Sequence, residues 1–350
     1  MSNTKTANGF QQLYKPSWID RFTNWIAKLP ISEWVFYAGL GLVLIFIQII
    51  FLWVNGGLQA EVLLPVILFN GLAIPYLLVL IHYLDHQCVT ALNAMRPSLV
   101  LTKPDFEKYL YKLSNMPAGM TLLAGLIMVA IAVLIEQMSI SPIRYAALEQ
   151  LPIFSVVYHI IDKSTAFLFG GFIYHTIRQL QLVNTIYLNH VSINLFNLRP
   201  LRAFSKLTAS TAVGLVVGVY GWMLLNPELV TNPIFFGFSA LITILAVAVF
   251  VWPLIGVHRL MEVEKESRLH NIDLHFEAVF SKFDQQFRDA DYTAIERLNE
   301  EMSGLEIQRK RIMAIPTWPW KSETARFTLT AIALPLILKI LQILVEQAID

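Results

Sequence analysis

Residues 34–53 read WVFYAGLGLVLIFIQIIFLW. This run of twenty has no charged side chain, and as a helix it rises about 30 Å, the thickness of a bilayer's hydrocarbon core. Six more runs of similar character follow, at Val62–Tyr83, Met120–Gln137, Ile153–Ile173, Thr208–Leu225, Ile234–Leu254 and Phe327–Val345. Together they predict an all-α, polytopic protein with seven transmembrane helices.

The residues between the runs set the expected direction of crossing. Cations fall in the N-terminal segment (Lys5, Lys15, Arg21, Lys28) and in the even-numbered connections. The second connection carries Arg96, Lys103, Lys108 and Lys112. The fourth carries Arg178, Arg199, Arg202 and Lys206, and the sixth holds ten, among them Arg259, Lys265, Arg297 and Arg309. Arg144 is the exception in the odd connections. The positive-inside bias then places the N-terminus in the cytosol and the C-terminus outside.

Composition agrees. Hydrophobic residues make up 56% and charged residues 15%, against about 25% charged in an ordinary soluble chain. A formal net charge of +1 argues against a general nucleic-acid binder, and basic residues lined along one side suit anionic headgroups. Cys88 is the only cysteine, so no intramolecular disulfide or cysteine-based metal centre is expected. The polar segment before the first run is not that of a cleavable signal peptide.

Four segments result. Residues 1–33 form an N-terminal part with an amphipathic helix over Ser17–Leu29, whose Trp18, Phe22, Trp25 and Leu29 share a face. That face suits a helix lying in the membrane plane or one packed on the protein. Residues 34–255 hold the first six spans. Residues 256–314 read as a cytosolic helical hairpin. Leu269, Ile272, Phe276, Val279, Phe283 and Phe287 recur at helical spacing, as do Ile295, Leu298, Met302, Leu305 and Ile312. A break at 288–292 separates the two, and Thr293 with Glu296 forms a capping box. Residues 315–350 begin with Ile315-Pro-Thr-Trp-Pro-Trp320, where the prolines stop regular helix and the tryptophans suit a membrane interface.

The chain's ending, Ile315–Trp320 after a charged hairpin and before an apolar helix, resembles a group of uncharacterised bacterial multi-pass membrane proteins. That resemblance covers about the last quarter of the chain and implies no activity. The predicted plan, inside N-terminus and seven spans, is similar to that of insect odorant and gustatory receptors, which are tetrameric cation channels with the last helix at the pore. The likeness is one of architecture, since the last-helix motif of those receptors has no match here.

Several polar residues fall inside the spans, where an ionisable group marks a functional site by default. In span four, Ser155, His159 and Asp162 share a face, with Lys163 beside them. They read either as a polar pocket or as a structural ion pair. In span seven, Thr328, Pro335, Lys339, Gln342 and Glu346 form one stripe, read as pore-lining or as packing with a snorkelling lysine. His82, Asp85 and His86 stand at i, i+3 and i+4, a spacing open to zinc but also that of an interfacial polar cluster. The adiponectin-type receptors bind zinc through histidines near their last spans, which have no counterpart here, so no cofactor or metal is expected. Gly214 and Gly218 form a GxxxG pair that allows close helix packing. No GxSxG, HExxH or P-loop is present, so no enzymatic activity is expected.

These readings converge on a chemoreceptor-like ion channel or receptor of a bacterial plasma membrane. Span seven would line the pore and span four would form a ligand pocket. The expected partners are the lipid bilayer, further copies of the chain (a tetramer, if a channel) and a small-molecule ligand. A membrane scaffold whose hairpin binds other proteins and a small-solute transporter are the alternatives.

Overall fold

The computed structural model describes residues 13–56, 60–139, 148–191, 194–198, 200–225, 233–288 and 292–349, with no side-chain description at 60–62, 138–139, 233–236, 238, 287, 292–294, 335–336 and 338–349. Lys5, Arg144, Arg199, the expected break at 289–291 and Asp350 lie outside the described residues, as do the side chains of Phe287, Thr293, Pro335, Lys339, Gln342 and Glu346.

Among the described residues there are ten α-helices. They are α1 (Trp18–Ile26), α2 (Glu33–Val54), α3 (Ala60–Met95), α4 (Lys103–Ser114), α5 (Ala118–Ser139), α6 (Pro152–His190), α7 (Ala203–Leu225), α8 (Pro233–Arg288), α9 (Tyr292–Met313) and α10 (Ser322–Ile349). Six of them, α2, α3, α5, α6, α7 and α8, contain segments long and apolar enough to cross a membrane. The seventh predicted run lies within the 28-residue α10.

Several helices outrun the bilayer. α3 has 36 residues, α6 has 39 and α8 has 56. The residues beyond the predicted runs contain no proline up to the ends of these helices, so the backbone keeps its hydrogen bonds by continuing as helix. Pro65, Pro75 and Pro253 sit inside these helices, tolerated where neighbouring helices support the backbone.

The helices pack around one buried core that includes Leu84, Phe172, Tyr187, Phe204 and Phe250. At one end of the bundle, α3, α4, α6 and α7 come together. Leu99 bridges to Val191, and the Val100 amide donates to the His190 carbonyl at 2.8 Å. Arg96, Lys103, Lys108, Lys112, Arg202 and Lys206 all belong to this end, called the basic end below. At the opposite end, the Ile153 amide of α6 donates to Asn55 Oδ1 at 3.3 Å. Leu52, Leu63, Ile67, Leu151 and Phe154 form a smaller core there.

α1 lies at the basic end. Ser17 caps it, and Ser17 Oγ and the Asp20 carboxylate complete a capping box. Its buried face is Ile19, Thr23 and Ile26, while Trp25 is half exposed. The helix thus docks through the stripe one residue away from Trp18, Phe22 and Trp25. The aromatic stripe is half-buried beside it: Trp18 stacks on Phe167 of α6 at 5.7 Å, Phe22 and Trp25 both meet Phe36 of α2, and Trp25 is the most exposed of the three.

α8 and α9 run antiparallel. Ile272, Val279, Leu305 and Ile312 are buried between them, flanked by Leu269, Phe276, Leu298 and Met302. Arg309 pairs with Asp273, and Lys265 Nζ donates to the carbonyls of Met313 and Ile315. Next comes a stack of four rings. His258 lies on Trp318 at 3.9 Å, Trp318 on Trp320 at 4.4 Å, and Trp320 on Phe250 at 5.1 Å. The Pro316-Thr-Trp-Pro-Trp320 segment is therefore folded back on α8 before α10 begins.

Candidate functional site

The span-four residues meet a partner from α5. Lys163 Nζ donates to both Glu136 Oε2 and Asp162 Oδ2 (2.8 Å), and His159 Nδ1 lies 3.4 Å from Glu136 Oε1. The three charged side chains keep between a fifth and a third of their surface exposed. Formally, two carboxylates face one ammonium, with the His159 imidazole beside Glu136. Ser155 is half-buried, about one turn before His159 and two before Asp162, and makes no part of this charge group.

Glu136 is the residue that sequence reasoning passed over. It is the lone carboxylate of the third predicted span, near its outer end. That places it at the level of the His159–Lys163 turn of the antiparallel neighbour.

Asp162 and Lys163 face different spaces. Asp162 lines a partly open cavity of about 380 Å³ between α3, α5, α6 and α7. Its other walls are mostly apolar, among them Phe69, Leu72, Ala132, Phe169 and Trp222. Tyr76 turns its hydroxyl away to donate to the Gly214 carbonyl at 2.6 Å, and Thr165 donates to the Ile161 carbonyl at 3.0 Å. Asp162 is thus the one charged group in this wall. It lies ten residues beyond Pro152, about 15 Å along α6. Lys163 lines a more open groove beside α1, α2 and α5, with Trp18, Phe22, Leu44 and Phe167.

The expected GxxxG pair of α7 shapes this cavity. A Cβ on Gly214 would meet Leu80 at 2.7 Å, and one on Gly218 would meet Tyr76 at 3.2 Å, whereas Gly221 faces open space. The first two let α3 approach, and the third leaves room.

The remaining candidates are placed elsewhere. Thr328 is buried, 1% exposed, and its hydroxyl has no partner among the described residues. Lys339 and Gln342 lie on the helical backbone of α10 with side chains outside the description. His82, Asp85 and His86 are not brought together. His82 meets the Tyr37 hydroxyl at 3.2 Å and Glu33 at 3.4 Å, while His86 is exposed. Asp85 turns to α6, where His175 Nε2 donates to it at 2.6 Å and Gln179 Nε2 at 3.0 Å. Gln179 Nε2 also donates to the Leu113 carbonyl. Among the described residues no group of three His, Cys, Asp or Glu side chains is placed to hold a metal ion.

A second polar centre, unforeseen from the sequence, closes the basic end. Asp20 Oδ2 accepts from the Ser17 amide and hydroxyl, both at 2.9 Å, and from the Met116 amide at 2.8 Å. Burial pushes this carboxyl above its usual range, and Asp85 adds to the effect. Beside it, Arg178 donates to the Asn115 carbonyl and the Tyr14 hydroxyl, with its guanidinium 5.1 Å above the Tyr14 ring.

Helix length and apolar composition define the class. This is an integral multi-pass membrane protein in contact with lipid. No family profile, curated protein or solved structure matches the chain, and the ending at Ile315–Trp320 identifies no family.

Proposed function

We propose that the chain is a ligand-responsive receptor of chemoreceptor-like plan in a bacterial plasma membrane, without enzymatic activity. In this reading the basic end is cytosolic, the cavity beside Asp162 is the receptor site, and homo-oligomers grouped around α10 conduct ions. The cavity carries the reading. Its volume of about 380 Å³ falls in the roughly 300–1,000 Å³ range of small-molecule sites, and its apolar walls with one oriented polar group are the usual make-up of such sites. α7, which forms one wall, also packs on α8, so an occupant that shifts α7 has a path to the α8–α9 hairpin.

The test uses the full chain in liposomes loaded with potassium chloride. Gly221→Leu, which fills the cavity, should change ion release severalfold. Release at the protein-free rate from both proteins would remove the channel form. If hydrogen exchange along α9 were also identical in the two, the receptor reading would go with it.

A scaffold reading has one observation in its favour. Val263, Leu274, Phe280 and Ile307 stand exposed on the hairpin, a surface that a cytosolic partner would cover. Retained ion release in a Leu274→Glu, Ile307→Glu double variant that loses a binding partner would assign the hairpin to docking.

A further inference from the structure

The charge group beside the cavity is unbalanced, and the imbalance selects a ligand. Lys163 is shared between Glu136 and Asp162. One ammonium cannot neutralise both carboxylates. The unmatched charge falls toward the cavity, because Asp162 is the member that lines it. An unmatched carboxylate facing an apolar space is costly. A second cation entering the cavity removes that cost: Lys163 stays on Glu136, and the newcomer pairs with Asp162. An anion in the same place would meet like charge. A neutral molecule would leave the carboxylate without a counter-charge.

The rest of the wall fixes the body of the ligand. Phe69, Tyr76, Phe169 and Trp222 supply aromatic surface, with the Phe69 and Trp222 rings 6.3 Å apart. Ring faces attract ammonium groups and accept hydrocarbon. The open space over Gly221 continues the cavity along α7.

We propose that this cavity binds a cationic amphiphile, an ammonium head on a hydrocarbon or aromatic body, with Asp162 as its counter-ion. The proposal rests on the reading of the cavity as a receptor site. The same chemistry occurs in amine-bearing lipids and in free hydrophobic amines. Competition by vesicles containing a long-chain alkylamine, set against vesicles of zwitterionic lipid alone, tells the two sources apart.

The probes are 4-phenylbutylamine, 4-phenylbutanol and 4-phenylbutyrate, which share one body and differ in head charge. Binding to the purified full chain in a neutral detergent is measured by calorimetry at pH 7. The amine should bind about tenfold or more tightly than the alcohol, as a charge-assisted hydrogen bond implies, and the carboxylate weakest. Asp162→Asn should bring amine and alcohol to within about threefold of each other while the alcohol still binds. Gly221→Leu should weaken both.

Equal binding of amine and alcohol, with both lost in Gly221→Leu, would overturn the charge selection and leave the cavity reading standing. Binding that ignores Gly221→Leu, or absent binding, would overturn both. Lys163→Gln serves where Asp162→Asn does not fold. It leaves two uncompensated carboxylates, so the preference for the amine should grow severalfold, and an unchanged preference would overturn the proposal.

Discussion

Asp20 joins two pieces of chain through one carboxylate oxygen, which accepts from three donors: the amide and hydroxyl of Ser17, the cap of α1, and the Met116 amide before α5. Removing the side chain takes this acceptor from the Ser17 hydroxyl and the Met116 amide in a buried site, while the Ser17 amide keeps the Met116 carbonyl at 2.8 Å. Asp20→Ala should therefore cost about 1–3 kcal/mol, seen as a lower thermal midpoint in detergent. The pH dependence has a definite sign. Burial holds this carboxyl above its ordinary range, so the folded state favours the neutral acid. The stability it lends is complete below the ordinary value of about 4 and is lost as pH rises through the raised folded value. The wild-type midpoint should fall relative to that of Asp20→Asn as pH is raised from about 4 toward neutrality. The opposite slope would mean that the three donors outweigh burial and hold the carboxylate charged.

At the scale of helices, α5 and α6 approach each other closely enough to leave no room for a side chain. A Cβ on Gly170 would lie 2.4 Å from the Ala124 carbonyl oxygen and 2.7 Å from Met128 Cβ, so backbone would have to yield. Gly170→Ala should destabilise by about 1–3 kcal/mol, whereas Gly221→Ala, which points into open space, should leave the midpoint near wild type. Equal effects at the two positions would contradict the packing described. The helices themselves were legible in the sequence because an apolar run is a property of many residues at once. The pairings between them were not, because each depends on how a helix is rotated about its axis. His82, Asp85 and His86 do share a face, but that face spans about 100° and sits between two neighbours. α2 takes His82 and α6 takes Asp85. In α1, the aromatic stripe and the Ile19–Thr23–Ile26 stripe are both apolar enough to pack, and hydropathy alone cannot choose between them. Asp162 was legible as an outlier in its span, but Glu136, close to a span end, looked like an ordinary boundary residue.

Across the whole molecule, the basic residues of separate connections converge on one end, as a chain oriented by the positive-inside bias requires. In a Cys88→Ser background, single cysteines at Lys103 and Lys310 should react with an impermeant thiol reagent only from the cytosolic side, and one at Asn55 only from outside. Reaction of Lys310→Cys from outside would reverse the orientation. α8 adds a mechanical consequence. It is one helix of 56 residues with Pro253 inside it, about 84 Å long, and the ring stack from His258 to Phe250 grips it where its apolar part ends. A helix of this kind behaves as a rigid beam with a fulcrum. From Pro253 to Arg288 the free arm is about 50 Å, so a tilt of about 5° at the fulcrum would carry the tip through about 4–5 Å. Repacking of side chains around α7, too small to see at the cavity, would be amplified at the tip of the hairpin, the place to attach a distance probe.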